Sequence, residues 1–121
     1  MAKRILVVDD DEMNLKMAEF MLKQEGYEVY AAESGMDCLN YLKDNSVELI
    51  LLDIELPIMN GIKTFEIIKE NEKMANIPVI FLTASADSDM VLEAGKLGAV
   101  DYVTKPFLPQ ELLNRVEKAL F

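Results

Sequence analysis

The feature that most constrains the fold of this chain is a regular alternation between two hydrophobic patterns. Short, continuous apolar runs lie at residues 5–8, 49–52 and 79–82, and weaker runs lie at 29–32 and 100–103. Runs of this length, apolar on both faces, are typical of strands in a parallel sheet that helices cover on both sides. The chain therefore carries five candidate strands.

Helical patterns fill the segments that follow these runs. Apolar residues recur at helical spacing at Met17, Ala18, Met21 and Leu22, at Ile62, Phe65 and Ile68, at Met90, Ala94 and Leu97, and at Leu112, Leu113, Val116 and Ala119, with a shorter helix at residues 36–42. Ser34 and Pro109 mark helix starts, and Gly26 and Gly98 follow helix ends. Five strand-helix repeats with right-handed crossovers predict an α/β fold, with a parallel sheet between two helix layers.

Composition excludes several classes of function. The length of 121 residues predicts one domain. A net charge of -10 argues against nonspecific binding to nucleic acid or to anionic membranes. The absence of histidine excludes imidazole-based triads and HExxH zinc sites, and the single cysteine, Cys38, excludes an internal disulfide and fits a reducing compartment. The sequence shows neither a signal peptide nor an apolar run of membrane-spanning length, so we expect a cytoplasmic protein.

Polar residues stand at the ends of the odd-numbered candidate strands and of the fourth. These residues are Asp9, Asp10, Asp11 and Glu12 after the first, Asp53 and Glu55 after the third, Thr83 after the fourth, and Thr104, Lys105 and Pro106 after the fifth. The carboxyl ends of parallel strands share one edge of a sheet, where ligands of such folds bind. We call the predicted group of Asp9, Asp10, Asp53, Thr83 and Lys105 the acidic mouth.

The residue types of the acidic mouth indicate phosphoryl chemistry. Crowded carboxylates repel one another, and a hard divalent cation with oxygen ligands, such as Mg²⁺, relieves that repulsion. Lys105 and the hydroxyl of Thr83 are suited to phosphoryl oxygens, and an aspartate can act as the nucleophile in aspartyl-phosphate chemistry. Each residue alone also has a structural explanation, such as helix capping, and only the combination is specific.

Four motifs of the chain resemble the signatures of bacterial response-regulator receiver domains. They are Ile5-Leu-Val-Val-Asp-Asp, Leu51-Leu-Asp-Ile-Glu-Leu-Pro-Ile-Met-Asn-Gly, Phe81-Leu-Thr-Ala and Tyr102-Val-Thr-Lys-Pro-Phe. The resemblance implies a flavodoxin-like three-layer α/β/α sandwich with five helices and a five-stranded parallel sheet of order 2-1-3-4-5. It also implies that residues 1–121 form a single receiver domain, either a stand-alone regulator or the N-terminal part of a longer one.

The resemblance assigns the phosphoacceptor and the metal ligands by position. Asp53 matches the phosphoacceptor, which takes its phosphoryl group from a phosphohistidine. Asp10 and Asp53 match the side-chain ligands of Mg²⁺, and the backbone carbonyl of Glu55 matches a third ligand. Asp9 matches the acid that orients the metal through water. The implied function is a phosphoacceptor signalling domain rather than an enzyme.

The resemblance also implies a conformational switch. Lys105 matches the lysine that pairs with the phosphoryl group, and its peptide bond to Pro106 is cis in many relatives. Thr83 matches the switch hydroxyl that moves to the phosphoryl group, and Tyr102 matches the aromatic residue that then turns inward. The surface that changes is formed by the fourth helix, the fifth strand and the fifth helix.

Three positions depart from the commonest pattern of the family. Asp11 adds an acid that either strengthens Mg²⁺ binding or caps the first helix. The side chain of Glu55 stands where side-chain identity tunes the lifetime of the phosphoaspartate, in a direction that the sequence does not give. Leu108 leaves the last helix poorly capped.

The implied partners are a sensor histidine kinase or a histidine phosphotransfer protein, and a downstream target or effector domain. The phosphodonor is expected near the first helix, where Met13 and Phe20 are either exposed or part of the core. A phosphorylation-dependent homodimer is a further possibility, and neither direct nucleic-acid binding nor membrane binding is expected.

Three alternatives compete with this interpretation. A haloacid-dehalogenase-like phosphatase would use Asp9 as nucleophile and Asp11 as general acid, but it leaves Asp53 unexplained. A flavin-binding domain requires a phosphate loop where this chain has four acids. In a plain α/β interaction module, the acidic mouth would have no function.

Overall fold

The computed structural model describes residues 2–85 and 89–121, which hold five strands alternating with five helices. The strands are β1 (Arg4–Val8), β2 (Glu28–Ala32), β3 (Leu49–Asp53), β4 (Val79–Thr83) and β5 (Asp101–Thr104). The helices are α1 (Glu12–Gln24), α2 (Gly35–Asp44), α3 (Gly61–Glu70), α4 (Asp89–Leu97) and α5 (Pro109–Leu120). The predicted strand-helix alternation is confirmed. None of the helices in these ranges is long and apolar enough to cross a membrane.

The strands form one parallel sheet in the order β2-β1-β3-β4-β5, as the family resemblance implied. The chain moves from β1 outward to β2 and then crosses to β3 on the other side of β1. The strand order therefore reverses between β1 and β3, and ligands of doubly wound sheets bind at such a reversal, beyond the carboxyl ends of the strands. Every residue of β3 and β4 is buried, which explains their continuous apolar runs.

Alternate residues of the central strands feed two separate core layers. One layer joins Leu6, Val8, Ile50, Leu52 and Phe81 to α2, α3 and α4, and includes Cys38. The other joins Ile5, Val7, Leu49, Leu51, Ile80 and Leu82 to α1 and α5. This division follows from the two-residue period of a strand, and it covers both faces of the sheet.

The helix starts agree with the sequence in most cases. Asp11 caps α1, because its Oδ1 accepts a hydrogen bond of 2.8 Å from the backbone N–H of Met13. Ser34 caps α2 through the N–H of Asp37, as predicted. Leu108 precedes α5 without a side-chain cap from any described residue, which also confirms the prediction. Of the two roles that the sequence left open for Asp11, the structure shows the cap.

The glycines that follow two helices are as predicted, whereas the start of β5 and the buried face of α1 differ from the prediction. Gly26 and Gly98 have φ values of 90° and 107°, the left-handed conformation expected directly after helices. β5 begins at Asp101, one residue later than the apolar run indicated. Met17 was predicted in the buried stripe of α1 but is partly exposed, since Leu15 takes the place that faces the sheet, in phase with Ala18 and Leu22.

Candidate functional site at the carboxyl edge of the sheet

The fold brings together residues of the acidic mouth from three different strands. Asp9 follows β1, Asp53 ends β3, and Lys105 follows β5. One carboxylate oxygen each from Asp9, Asp10 and Asp53 lie within 4.8 Å of one another. The Nζ atom of Lys105 lies 2.9 Å from Asp53 Oδ2 and 2.8 Å from Asp9 Oδ2. A single ammonium group is thus shared by two carboxylates.

Both of these carboxylates are fully buried and held in orientation. Asp53 Oδ1 accepts a 2.9 Å hydrogen bond from the N–H of Glu55, while Oδ2 accepts one of 2.9 Å from Lys105 Nζ. Asp9 Oδ1 accepts a 2.9 Å hydrogen bond from the N–H of Asp11. Asp9 Oδ2 is close enough to Lys105 for an ion pair, but no group in residues 2–85 and 89–121 gives it a hydrogen bond of acceptable geometry. That oxygen keeps free acceptor capacity.

The electrostatics of the site leave it short of positive charge. Burial raises the pKa of Asp53 to about 6, and the neighbouring Asp9 adds to this effect, although Lys105 and the N–H of Glu55 oppose it. Burial lowers the pKa of Lys105, but its contacts with Asp9 and Asp53 outweigh burial, and the pKa is raised overall. Lys105 is therefore cationic at neutral pH, and it faces more negative charge than it can balance.

The donor set of the site fits Mg²⁺. Three carboxylates converge, one of them exposed at the rim (Asp10), and one buried oxygen (Asp9 Oδ2) lacks a hydrogen bond from any described group. Hard oxygen ligands of this kind suit Mg²⁺. Asp9, Asp10 and Asp53 are the residues that would hold the ion. The role of the Glu55 backbone carbonyl stays a prediction.

Thr83 is the buried hydroxyl at the end of β4. Its Oγ1 accepts a 3.2 Å hydrogen bond from the N–H of Ser85, and it lies within donating distance of Glu55 Oε2 (3.0 Å) and of the Ser85 carbonyl (3.1 Å). A hydroxyl has one proton, so it serves one of these two acceptors at a time. The carboxylate of Glu55 also accepts a 2.9 Å hydrogen bond from the N–H of Ala84.

The contacts of the Glu55 side chain were missed by sequence reasoning. Glu55 and Thr83 are 28 residues apart, and no local pattern connects them. The signal available was the implied strand order, in which the ends of β3 and β4 are neighbours.

Tyr102 lies on β5, which is part of the predicted switch surface of α4, β5 and α5. It pairs in register with Phe81 of β4, and Thr104 pairs with Thr83. Its side chain is 39% exposed, so the ring lies at the surface while Thr83 is buried. The peptide bond between Lys105 and Pro106 is cis, as the resemblance implied.

A family model described as the response regulator receiver domain matches residues 5–117 of the chain. The chain belongs to this family. Among solved structures, a chemotaxis protein of Vibrio cholerae superposes on this receiver domain with a TM-score of 0.94 and 26% identity, covering 99% of this chain and 100% of that one.

Two other solved receiver domains are similarly close. A response regulator receiver domain protein of Methanospirillum hungatei shows 32% identity and a TM-score of 0.91, covering 99% of this chain and 94% of the other. The receiver domain of a sensor histidine kinase of Pseudomonas aeruginosa shows 28% identity and a TM-score of 0.90, covering 99% and 98% of the two chains. That Pseudomonas structure has a magnesium ion coordinated in its active-site cleft.

The loop after β3 of this receiver domain folds back onto Ile54, the residue that follows Asp53. Gly61 begins α3, and its N–H donates a 2.9 Å hydrogen bond to the carbonyl of Ile54. Asn60 caps the helix through the N–H of Lys63. Ile58 is fully exposed and has a φ of 67°. Neither the cap of Asn60 nor the close approach of Gly61 was predicted.

Proposed function

We propose that this receiver domain, residues 1–121, accepts a phosphoryl group on Asp53 from the phosphohistidine of a sensor histidine kinase or a histidine phosphotransfer protein, in an Mg²⁺-dependent reaction. The observation that carries this proposal is the position of the Asp53 carboxylate. It lies at the end of β3 beside Lys105 and clusters with the carboxylates of Asp9 and Asp10. In the proposed role the chain is a signalling domain that assists its own phosphorylation and dephosphorylation.

The proposed transfer is a displacement at phosphorus. A carboxylate oxygen of Asp53 forms a new O–P bond while the N–P bond to the imidazole of the donor breaks. The electron pair of that bond returns to the imidazole nitrogen, and the product is an acyl phosphate. Such transfers depend on positioning and on neutralising charge rather than on additional covalent steps. A Mg²⁺ ion, when bound, supplies positive charge beside the phosphoryl oxygens.

The chain's own residues prepare Asp53 for this step. The Glu55 N–H and Lys105 Nζ each hold one carboxylate oxygen, so the nucleophile is oriented before the donor arrives. A pKa of about 6 leaves Asp53 largely ionised at neutral pH, which is the form that attacks phosphorus. Lys105 remains cationic and lies where it can pair with a phosphoryl oxygen.

Thr83 and Tyr102 form the proposed switch. A phosphoryl group on Asp53 offers new anionic acceptors to the Thr83 hydroxyl, which is then drawn away from its present acceptors, the Glu55 carboxylate and the Ser85 carbonyl. We propose that the space beside β5 is then filled by the Tyr102 ring turning inward from its exposed position. The α4-β5-α5 surface changes with it and binds a downstream target, an effector domain or a second phosphorylated copy of the chain.

The exposed apolar face of α1 is the proposed docking surface for the phosphodonor. Met13 and Phe20 are 66% and 65% exposed, and Met17 between them is partly exposed. Leu108, in the segment that connects β5 to α5, is also exposed. α1 begins directly after the acidic mouth, so a protein seated on its exposed face can present a phosphohistidine to Asp53. Exposed apolar clusters rimmed by polar residues are typical of protein-protein contacts.

Further parts of the proposal rest on composition and family. The net charge of -10 supports a role without direct nucleic-acid or membrane binding. The single cysteine supports a reducing compartment, the cytoplasm. Membership of the receiver family favours Asp53 as the acceptor over the alternative phosphatase with Asp9 as nucleophile.

The test is an intact-mass measurement after incubation with Mg²⁺ and acetyl phosphate. We expect one phosphoryl adduct on the unmodified protein, lost when EDTA is present, absent in Asp53→Asn and much reduced in Asp9→Asn. Phosphate release is followed in parallel. Multiple turnover that survives Asp53→Asn but stops in Asp9→Asn would instead support the phosphatase.

A further inference from the structure

The side chain of Glu55 joins the end of β3 to the end of β4. Its Oε2 accepts a 3.0 Å hydrogen bond from the Thr83 hydroxyl, and its Oε1 accepts one of 2.9 Å from the Ala84 N–H. The two oxygens of this carboxylate therefore accept hydrogen bonds from two consecutive residues. Hydrogen bonds to a charged acceptor are stronger than those between neutral groups.

The two donors lie next to the acceptor residue of the proposed function. Asp53 pairs in register with Leu82, and the N–H of Ile54 donates to the Leu82 carbonyl at 2.9 Å. Thr83 and Ala84 directly follow Leu82 in the chain. They therefore lie beside Ile54 and Glu55, the residues that directly follow Asp53. The Glu55 carboxylate thus occupies a hydroxyl donor and an amide donor on the two residues that follow the register partner of Asp53.

We propose that Glu55 is a positioning residue that holds Thr83 and Ala84 before phosphorylation and competes with the phosphoryl group for these two donors. The inference rests on the proposed function, because the competitor is a phosphoryl group on Asp53. The Thr83 hydroxyl has one proton and the Ala84 amide has one, so the carboxylate and a phosphoryl oxygen cannot both be served fully. Binding of both donors to the phosphoryl group therefore requires that both donors release the Glu55 carboxylate.

This competition predicts that removing the carboxylate shifts the equilibrium toward the state in which Thr83 is drawn to Asp53. A ligand shifts a two-state equilibrium only through its different affinity for the two states. The Glu55 carboxylate is partly exposed, so the coupling between its hydrogen bonds and ligand binding should lie at the low end of the usual range. We expect its removal to change ligand affinity by roughly 5- to 20-fold.

The experiment uses beryllofluoride, a tetrahedral phosphoryl mimic that binds reversibly to carboxylates, at saturating Mg²⁺. The variants are Glu55→Ala, which removes both acceptors, and Glu55→Gln, which keeps one oxygen and removes the charge. Glu33→Gln is the matched control, because Glu33 is an exposed carboxylate that follows β2 at the same edge of the sheet. A second measurement records the Ala84 amide chemical shift by NMR in the Mg²⁺-free protein without ligand.

We expect beryllofluoride to bind roughly 5- to 20-fold more tightly to Glu55→Ala than to the unmodified protein, with Glu55→Gln between them and Glu33→Gln unchanged. The Ala84 amide signal should move upfield in both Glu55 variants and stay in place in Glu33→Gln. Normal binding to the unmodified protein, with the same affinity in the Glu55 variants, would overturn the competition alone. An unmodified protein that binds no beryllofluoride and gains no adduct from acetyl phosphate would overturn the proposed function and the competition with it.

Discussion

A Cβ atom at Gly61 would stand 2.2 Å from the carbonyl oxygen of Asp53. The first residue of α3 therefore touches the backbone of Asp53, the proposed phosphoacceptor. The same Cβ atom would stand 2.8 Å from the Cα of Ile54. Because the obstacle is backbone rather than the flexible end of a side chain, no rotamer change relieves the clash. The start of α3 thus fixes where the end of β3 places its carboxylate.

The first prediction concerns this close contact. Gly61→Ala should lower the free energy of unfolding by about 1–3 kcal/mol, since overpacking forces backbone shifts. It should also slow formation of the phosphoryl adduct, because the backbone of Asp53 must move. Urea unfolding and intact mass with acetyl phosphate measure the two effects.

Gly95→Ala in α4 is the matched control for this substitution. Apart from its two chain neighbours and the nearby backbone of α4 itself, no heavy atom of the described residues lies within 4 Å of a Cβ built at Gly95. This change should stabilise the protein by roughly 0.5–1 kcal/mol through helix propensity and leave the adduct unchanged. A Gly61→Ala variant as stable and as reactive as Gly95→Ala would contradict the prediction.

The second prediction separates two adjacent acids. Asp10→Asn should weaken Mg²⁺ binding by roughly tenfold or more, because it removes one of three converging carboxylates. Asp11→Asn should change Mg²⁺ affinity by at most about twofold, since Asn replaces Asp well as an N-cap and Asp11 caps α1. Titration calorimetry with MgCl₂ measures both affinities. Equal losses in the two variants would show that Asp11 also contributes to the ion.

The third prediction is a pH dependence in the presence of EDTA. The pKa of Asp53 is raised from its ordinary value to about 6, so the native state binds more protons than the unfolded state between about pH 4 and pH 6. The contribution of Asp53 to stability therefore falls as the pH rises through this window. At pH 7 the buried charge costs on the order of 1–3 kcal/mol.

Asp53→Asn removes this cost and tests the prediction. In EDTA the variant should be more stable than the unmodified protein at pH 7, and the difference should shrink as the pH approaches 4. Urea unfolding at a series of pH values gives the difference directly. A stability difference that is the same at pH 4 and pH 7 would show that the pKa of Asp53 is not raised by folding.

The fourth prediction concerns the start of α5. Leu108 has extended φ and ψ values, Pro109 is the first helical residue, and Glu111 stands three residues beyond Leu108. Leu108→Ser completes a capping box and should raise the free energy of unfolding by about 0.5–2 kcal/mol. Ser34→Ala, which removes the cap of α2, should lower it by about 1 kcal/mol. Chemical denaturation measures both, and a Leu108→Ser variant less stable than the unmodified protein contradicts the prediction.

The fifth prediction couples Thr83 to Tyr102. With fluorotyrosine incorporated, the ¹⁹F signal of Tyr102 should shift when beryllofluoride and Mg²⁺ are added, because the exposed ring moves inward. The shift should be lost in Thr83→Ala, while the signal of Tyr27 stays constant in both proteins. Tyr102→Phe assigns the signal. A full shift in Thr83→Ala would show that the ring moves independently of the hydroxyl.

Much of the fold was predictable because its signals are local. The continuous apolar runs of β3 and β4 follow from burial on both faces, and the helix caps at Ser34 and Asp11 lie next to the residues they serve. The strand order came from the family resemblance, and the sheet confirms it. The residues of the acidic mouth were predictable for a related reason, since parallel strands place all their carboxyl ends at one edge.

The sequence by itself determined which residues form the strands and helices, because backbone geometry sets the hydrophobic period of each. It also determined which polar groups reach the carboxyl edge of the sheet, since these groups directly follow the strands. Only the tertiary structure decided how those groups are paired. The bridge from Glu55 to Thr83, the contact of Gly61 with Asp53 and the exposure of Phe20 depend on strand register, helix phase and side-chain rotamers. These are properties of segments packed together, and no single segment encodes them.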